Sequence, residues 1–186
     1  MSTTAPNISW YALHIRPRFE KVVARHLEAE GREGYLPLYK SVRRWSDRIK
    51  TIELPLFPGY MFCRFDIENR LPILVGPGVL GIVGIGTTPT PIPESDISSL
   101  RHVTASGIEC KPWPFVDAGQ RISVKYGPLA GLEGMVIQVK SNLRLIVSLP
   151  LLRRSVAVEI DRYCVDPDYN RPPAAFHVGT ELRRIA

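Results

Sequence analysis

Leu56-Phe57-Pro58-Gly59-Tyr60-Met61-Phe62-Cys63-Arg64-Phe65 sets a sharp break against a strict alternation. Proline removes a backbone donor and glycine tolerates conformations closed to other residues, so the chain must turn at Pro58-Gly59. From residue 60 onward, successive side chains of a strand point to opposite sides. Tyr60, Phe62 and Arg64 therefore share one face, and Met61, Cys63 and Phe65 share the other.

Upstream of this stretch, residues 9–15 mix aromatic and β-favouring side chains and stop at Arg16-Pro17, which predicts a strand. Residues 17–30 follow helical spacing, with Phe19, Val22, Val23 and Leu27 apolar, Pro17 suited to a first turn and Gly31 to a C-terminal cap. Arg18, Lys21 and Arg25 recur at intervals of three and four on another side, so a single helix would carry them as one exposed basic stripe. Residues 35–39 resume an extended pattern. The segment 40–50, with Lys40, Arg43, Arg44, Arg48 and Lys50, reads as a hairpin loop or the end of two strands.

Downstream, residues 69–75 suggest a short helix interrupted by Pro72, and residues 79–85 a glycine-spaced strand. Pro93 opens a helix with Glu94 and Asp96 in its first turn, where acids suit the helix dipole, and with Ile97, Leu100 and Val103 directed inward. The order β-α-β-β-α-β-α predicts an α+β sandwich: an antiparallel sheet with helices on one side. After residue 105 the pattern changes. Residues 106–114, with Ser106-Gly107 and Pro112-Trp113-Pro114, read as a flexible linker. Residues 121–126, 133–139, 143–149 and 155–160 are short β-rich runs with no helix between them, which predicts a small β-barrel. The proposed division is thus a first domain over 8–105, a linker over 106–114, a barrel over 115–166 and a loose tail over 167–186.

The composition favours binding over catalysis. The 186 residues are 45% apolar, enough for real cores, and carry 24 Lys and Arg against 18 Asp and Glu, a net charge of +6 that suits polyanionic partners. Residues 14–50 hold 10 bases against 5 acids, so a nucleic-acid surface should be sought there first. Cys63, Cys110 and Cys164 form no CxxC pair, and His14, His26, His102 and His177 show no metal-ligand spacing. No serine-nucleophile elbow or phosphate-binding loop occurs, and Pro77 interrupts the glycines that might imitate one. A cytoplasmic, monomeric protein without cofactor, metal or membrane span is expected, because no leader pattern or long apolar run is present.

Two motifs carry more information than composition does. Leu56-Phe57-Pro58-Gly59-Tyr60-Met61-Phe62 and Gly127-Pro128-Leu129-Ala130-Gly131-Leu132-Glu133-Gly134-Met135-Val136, with Trp10-Tyr11 before them, resemble the signatures of NusG-like elongation factors. The second resembles the KOW element that this family shares with some ribosomal proteins. Gly78-Val79, Pro91-Ile92 and Val156-Ala157-Val158-Glu159-Ile160-Asp161 extend the likeness over roughly residues 9–166. It implies an N-terminal NusG domain followed by a KOW barrel.

The resemblance also implies roles for single residues. An apolar patch on the first domain would pack on the clamp helices of the largest RNA polymerase subunit, and at matching positions stand His14, Phe57, Tyr60 and Phe62. Tyr60 and one of the phenylalanines are expected to be exposed; the plainer alternative is that Phe57 and Phe62 fill the core. Arg16, Arg18, Lys21 and Arg25 would face the non-template DNA strand and gain affinity by counterion release, against the alternative of an ordinary solvated face. The basic segment 40–50 would lie near the other large polymerase subunit. Leu129, Leu132, Leu151, Leu152 and Arg154 occupy loop positions that would contact either the termination factor Rho or a ribosomal small-subunit protein, as apolar side chains at turns suggest. Pro150 and Arg153 replace small residues there, and Leu152 stands where an aromatic is common. The implied activity is elongation and antitermination by a clamp-bridging factor. Operon-specific paralogues of the RfaH and UpxY type share the motifs; RfaH-like proteins refold the second domain as a helical hairpin when autoinhibited, but the Val, Ile and Ser-rich runs here favour strands and a barrel. A KOW-type ribosome- or RNA-binding protein is the rival reading, and it leaves residues 57–62 unexplained.

Overall fold

The computed structural model of the chain describes residues 8–44, 48–115, 120–139, 142–161 and 164. The expected tail at 167–186 lies outside the described residues.

A four-stranded antiparallel sheet organises the first half. Its central strands are β1 (Ile8–Ile15) and β5 (Tyr60–Asp66), flanked by β2 (Glu33–Tyr35) and β6 (Val79–Ile82) in the order β2-β5-β1-β6. The alternation read at residues 60–65 holds: Met61, Cys63 and Phe65 face a cluster with Leu13, Val23, Leu27 and Ile73, whereas Phe62 faces one with Trp10, Ala12, Ile97, Leu100 and Val103. Helices α1 (Glu20–Ala29) and α2 (Leu71–Leu74) supply the first cluster, and α3 (Glu94–Ala105) supplies the second. The sheet is therefore covered on both sides, not on one as expected. The physical reason lies in β1, where Trp10 to Leu13 are all buried and neither face can be left to water.

The α1 helix starts three residues later than its pattern suggested. Pro17 and Arg18 form a turn, with Arg18 left-handed at φ 70°. The cap expected at Gly31 forms: its φ is 69°, and the Arg32 N–H reaches back to the Leu27 carbonyl at 2.9 Å. Of the segment 40–50, residues 40–44 lie on β3 (Leu38–Arg44) and residues 49–50 on β4 (Ile49–Pro55), which pair as a hairpin. The strand read at 79–85 is split. After β6, the Val83 N–H bonds to the Ala12 carbonyl, and the chain leaves as the small hairpin β7 (Gly84–Ile85) and β8 (Thr88–Pro89). It then returns to pair Ile92 with Trp10 before entering α3.

The second half is a five-stranded antiparallel sheet in the order β10-β11-β12-β13-β9. Its members are β9 (Cys110–Pro114), β10 (Gln120–Ser123), β11 (Glu133–Val139), β12 (Asn142–Leu149) and β13 (Arg154–Ile160). Strand β9 corrects the linker reading: Cys110 to Pro114 pair with Val158 to Arg154 along the full length of β9. Its prolines disguised it, but on an edge strand a missing N–H costs no ladder bond. Val136, Leu145, Val147, Val156 and Val158 line one face of this sheet, and their cluster is continuous with the α3 side of the first sheet. The His102 Nε2 lies 2.8 Å from the Pro128 carbonyl and ties α3 to the loop before β11.

Gly78 joins α2 to β6 at φ 87°, and a Cβ there would meet the Phe19 side chain at 2.8 Å. Gly78→Ala should lower stability by about 2 kcal/mol, from the left-handed backbone and the clash together, and a urea denaturation curve measures it. A wild-type midpoint would show that α1 and β6 are not held as described.

Candidate protein and nucleic-acid interface

Within Trp10 to Ile15 every residue is buried except His14. The register explains where it points. Across the sheet His14 pairs with Tyr60 on one side and Gly81 on the other, on the same face as Ala12 and Phe62 but one row closer to the end of the sheet. The α3 helix covers the Phe62 row and leaves the His14 row open. The two rings stack with centroids 5.4 Å apart and planes inclined by 24°. Beyond His14 the row falls away, because Gly81 has no side chain and a Cβ there would meet nothing within 4 Å. The result is a flat aromatic ledge with His14 exposed and Tyr60 half-buried.

Phe57 and Phe62 do not belong to the exposed part. They are 1% and 0% exposed, which corrects the expectation that one of them would be open. Phe62 packs edge-on against Phe57 at 5.9 Å and lies over Tyr35 at 6.1 Å, and the two phenylalanines belong to the buried cluster that forms the floor against which Tyr60 packs.

The turn at residues 57–60 is tightly held. The Tyr60 N–H bonds to the Phe57 carbonyl at 3.0 Å, and the Ile15 N–H to the Gly59 carbonyl at 2.8 Å. Gly59 adopts φ 81°, the conformation for which glycine was needed. Its N–H donates to Glu20 Oε1 at 2.8 Å. Glu20 is 6% exposed. It was missed from the sequence, although an acid at position 20 stands on the same helical stripe as Val23 and Leu27, where only apolar side chains are expected.

Arg16, Arg18, Lys21 and Arg25 are all exposed, but they do not form one helical stripe. Lys21 and Arg25 lie on α1, joined by a bond from Arg25 Nε to the Lys21 carbonyl, whereas Arg16 and Arg18 belong to the preceding turn. The Arg16 guanidinium sits 5.6 Å from the Phe19 ring centroid. Lys21 Nζ approaches Glu53 on β4 at 4.0 Å, which relates α1 to a hairpin whose Lys40, Arg44, Arg48 and Lys50 are exposed.

On the second sheet, the proposed partner residues divide. Leu129, Leu132 and Leu152 are buried, so they are core and not surface. The turn through Gly127 and Gly131 folds Leu129 and Leu132 inward, with the Gly131 N–H bonded to the Val124 carbonyl at 2.8 Å. Leu151 is half-buried and Arg154 exposed, and these two remain available. Arg153 takes a left-handed conformation, φ 47°, at the end of the 3-10 turn Pro150–Leu152, and its guanidinium lies 5.3 Å from the Phe115 ring centroid.

Among the described residues no group of His, Cys, Asp or Glu could hold a metal ion, and no helix is long and apolar enough to cross a membrane. Burial pushes the Cys63 thiol up to about 11, against a smaller opposing pull from Arg32, so it is not a thiolate at neutral pH.

The chain is thus an α+β protein with an aromatic ledge beside exposed basic residues. Residues 8–101 match the family described as "Transcription termination factor nusG". Among curated relatives, the transcription termination/antitermination protein NusG of Pseudomonas aeruginosa is 30% identical over 167 residues, covering 82% of this chain and 94% of its own. Its counterpart in Neisseria meningitidis serogroup B is also 30% identical, covering 82% and 93%. A solved structure titled "Domain interaction in Thermotoga maritima NusG" superposes with a TM-score of 0.53 at 20% identity, covering 86% of this chain and 97% of that one. The chain belongs to the NusG family.

Because Phe62 is floor and not contact, Phe62→Ala should cost about 3–5 kcal/mol of stability, read as a fall in the thermal midpoint. A loss below about 1 kcal/mol would return Phe62 to the surface patch.

Proposed function

We propose that the chain is a transcription elongation and antitermination factor that binds the clamp helices of the largest RNA polymerase subunit through the His14–Tyr60 ledge. The observation that carries this reading is the exposed His14 within the otherwise buried run Trp10 to Ile15, stacked on a tyrosine beside a glycine gap. Folding alone gives no reason to leave that row uncovered. Aromatic side chains bury large area at low entropic cost, which is why they anchor interfaces.

In this reading residues 8–105 form the polymerase-binding unit. Arg16, Arg18, Lys21 and Arg25 hold the non-template DNA strand by charge, without reading its sequence. The bound factor bridges the polymerase cleft, keeps the clamp closed and reduces pausing. The five-stranded sheet is the KOW module and reaches a second partner, Rho or a ribosomal small-subunit protein, through Leu151 and Arg154. The Pro150–Arg154 loop favours a specialised partner choice. Arg153 fills a left-handed position that glycine would take without strain, and its contact with Phe115 fixes the loop in one shape.

Tyr60→Ala in the full chain should weaken binding to purified core RNA polymerase by at least about tenfold while shifting the thermal midpoint only slightly. Biolayer interferometry and differential scanning fluorimetry measure the two. Unchanged affinity, or a collapse of stability that accounts for the loss, would refute the assignment.

A further inference from the structure

Glu20 is the one carboxylate among the buried described residues. A buried charge needs compensation, and its recorded partner is not a cation but the N–H of Gly59, at 2.8 Å. The second support is its place in the first turn of α1, where the helix dipole favours an anion. Each end of this bond lies next to a residue of the proposed contact surfaces. Gly59 immediately precedes Tyr60, and its carbonyl is bonded to the Ile15 N–H next to His14. Lys21, adjacent to Glu20, begins the exposed basic side of α1 and approaches Glu53 on the hairpin.

We infer that Glu20 is a positioning residue for polymerase binding: its carboxylate locks the turn of Phe57 to Tyr60 onto the start of α1. The aromatic ledge and the basic side of α1 then meet the elongation complex as one rigid unit. This rests on the proposed polymerase contact through Tyr60. The charge-assisted bond fixes Gly59 in its left-handed conformation, and Gly59 in turn sets the direction from which the Tyr60 ring approaches His14. Without the acceptor, the Gly59 N–H is left unpaired in a half-buried turn, and the ring pair loses its fixed stacking. Glu20 touches neither DNA nor polymerase in this scheme, because its own exposure is too small to offer a surface.

The test compares Glu20→Ala with Glu20→Gln in the full chain. Glutamine keeps the reach and one acceptor oxygen, and alanine keeps neither. For Glu20→Ala we expect faster amide exchange at Gly59 and Tyr60, loss of the ring-current shift between His14 and Tyr60, and about tenfold weaker binding to core RNA polymerase. Glu20→Gln should restore all three to within about twofold of wild type, which a general loss of stability at this site would not do. Should Glu20→Ala fail to fold, Glu20→Asp takes its place, because it lacks one methylene of reach and should show the same three defects. Wild-type exchange and affinity in the shortened variants, or equal defects in the alanine and glutamine variants, would overturn the inference. The exchange and ring-current readouts use the free protein. If they behave as expected while Tyr60→Ala still binds polymerase normally, the polymerase reading fails and the inference fails with it, leaving Glu20 a lock on the fold alone. If Tyr60→Ala loses binding while Glu20→Ala keeps it, only the inference fails.

Discussion

Both faces of the β1–β5 pair are buried, and most features of the first half follow from that demand. An antiparallel sheet usually keeps one side wet, with polar residues alternating. Here Tyr11 and Leu13 point one way and Trp10 and Ala12 the other, all of them buried. Two sets of helices must then be present, and the chain provides them in order: α1 and α2 on one side, α3 on the other. Each fully covered large side chain contributes on the order of 2 kcal/mol by removal from water. The α3 face carries further locks. The Arg101 guanidinium lies over both the Trp10 and Tyr35 rings and pairs with Glu33, while the Trp10 indole N–H donates to Glu94. The same cluster continues into the second sheet, so α3 is the element on which the two halves meet.

The proposed contact surface is the place where this double coverage stops. Because α3 ends its cover at the Phe62 row, the next row is exposed by geometry, and its side chains are free to be chosen for binding. The floor below it is fully buried, since Phe57 and Phe62 pack edge to face within the cluster against which Tyr60 packs. A ledge on such a base needs little reordering when a partner arrives, which is how a small aromatic surface yields useful affinity. The basic residues of α1 and the preceding turn then add a term that is long-ranged and salt-sensitive.

Much of the fold was legible in the sequence, and the failures have physical causes. The turn at Pro58-Gly59, the alternation after it and the three runs at 133–139, 143–149 and 155–160 appear nearly as read, because period-two patterns survive tertiary packing. Cys110 to Pro114 were misread because proline at an edge imitates a loop. The site was less legible. Periodicity gives the face on which a residue stands but not how far a covering helix extends, so Phe57 and Phe62 could not be separated from Tyr60 and His14. The same limit applied to Leu129, Leu132 and Leu152, which stand at turns yet fold inward. Glu20 left a signal, an acid on an apolar stripe, but its partner is a backbone N–H 39 residues away that no side-chain pattern records.

Hydroxyl-radical footprinting of the full chain, alone and saturated with core RNA polymerase, bears most directly on the central claim. His14 and Tyr60 are oxidisable and accessible, the buried Trp10 is an internal blank, and Tyr126, at 62% exposure, reports on the second half. Polymerase should suppress oxidation at His14 and Tyr60 together while Tyr126 continues to react. Protection of Tyr126 with His14 and Tyr60 left as reactive as in the free protein would contradict that claim.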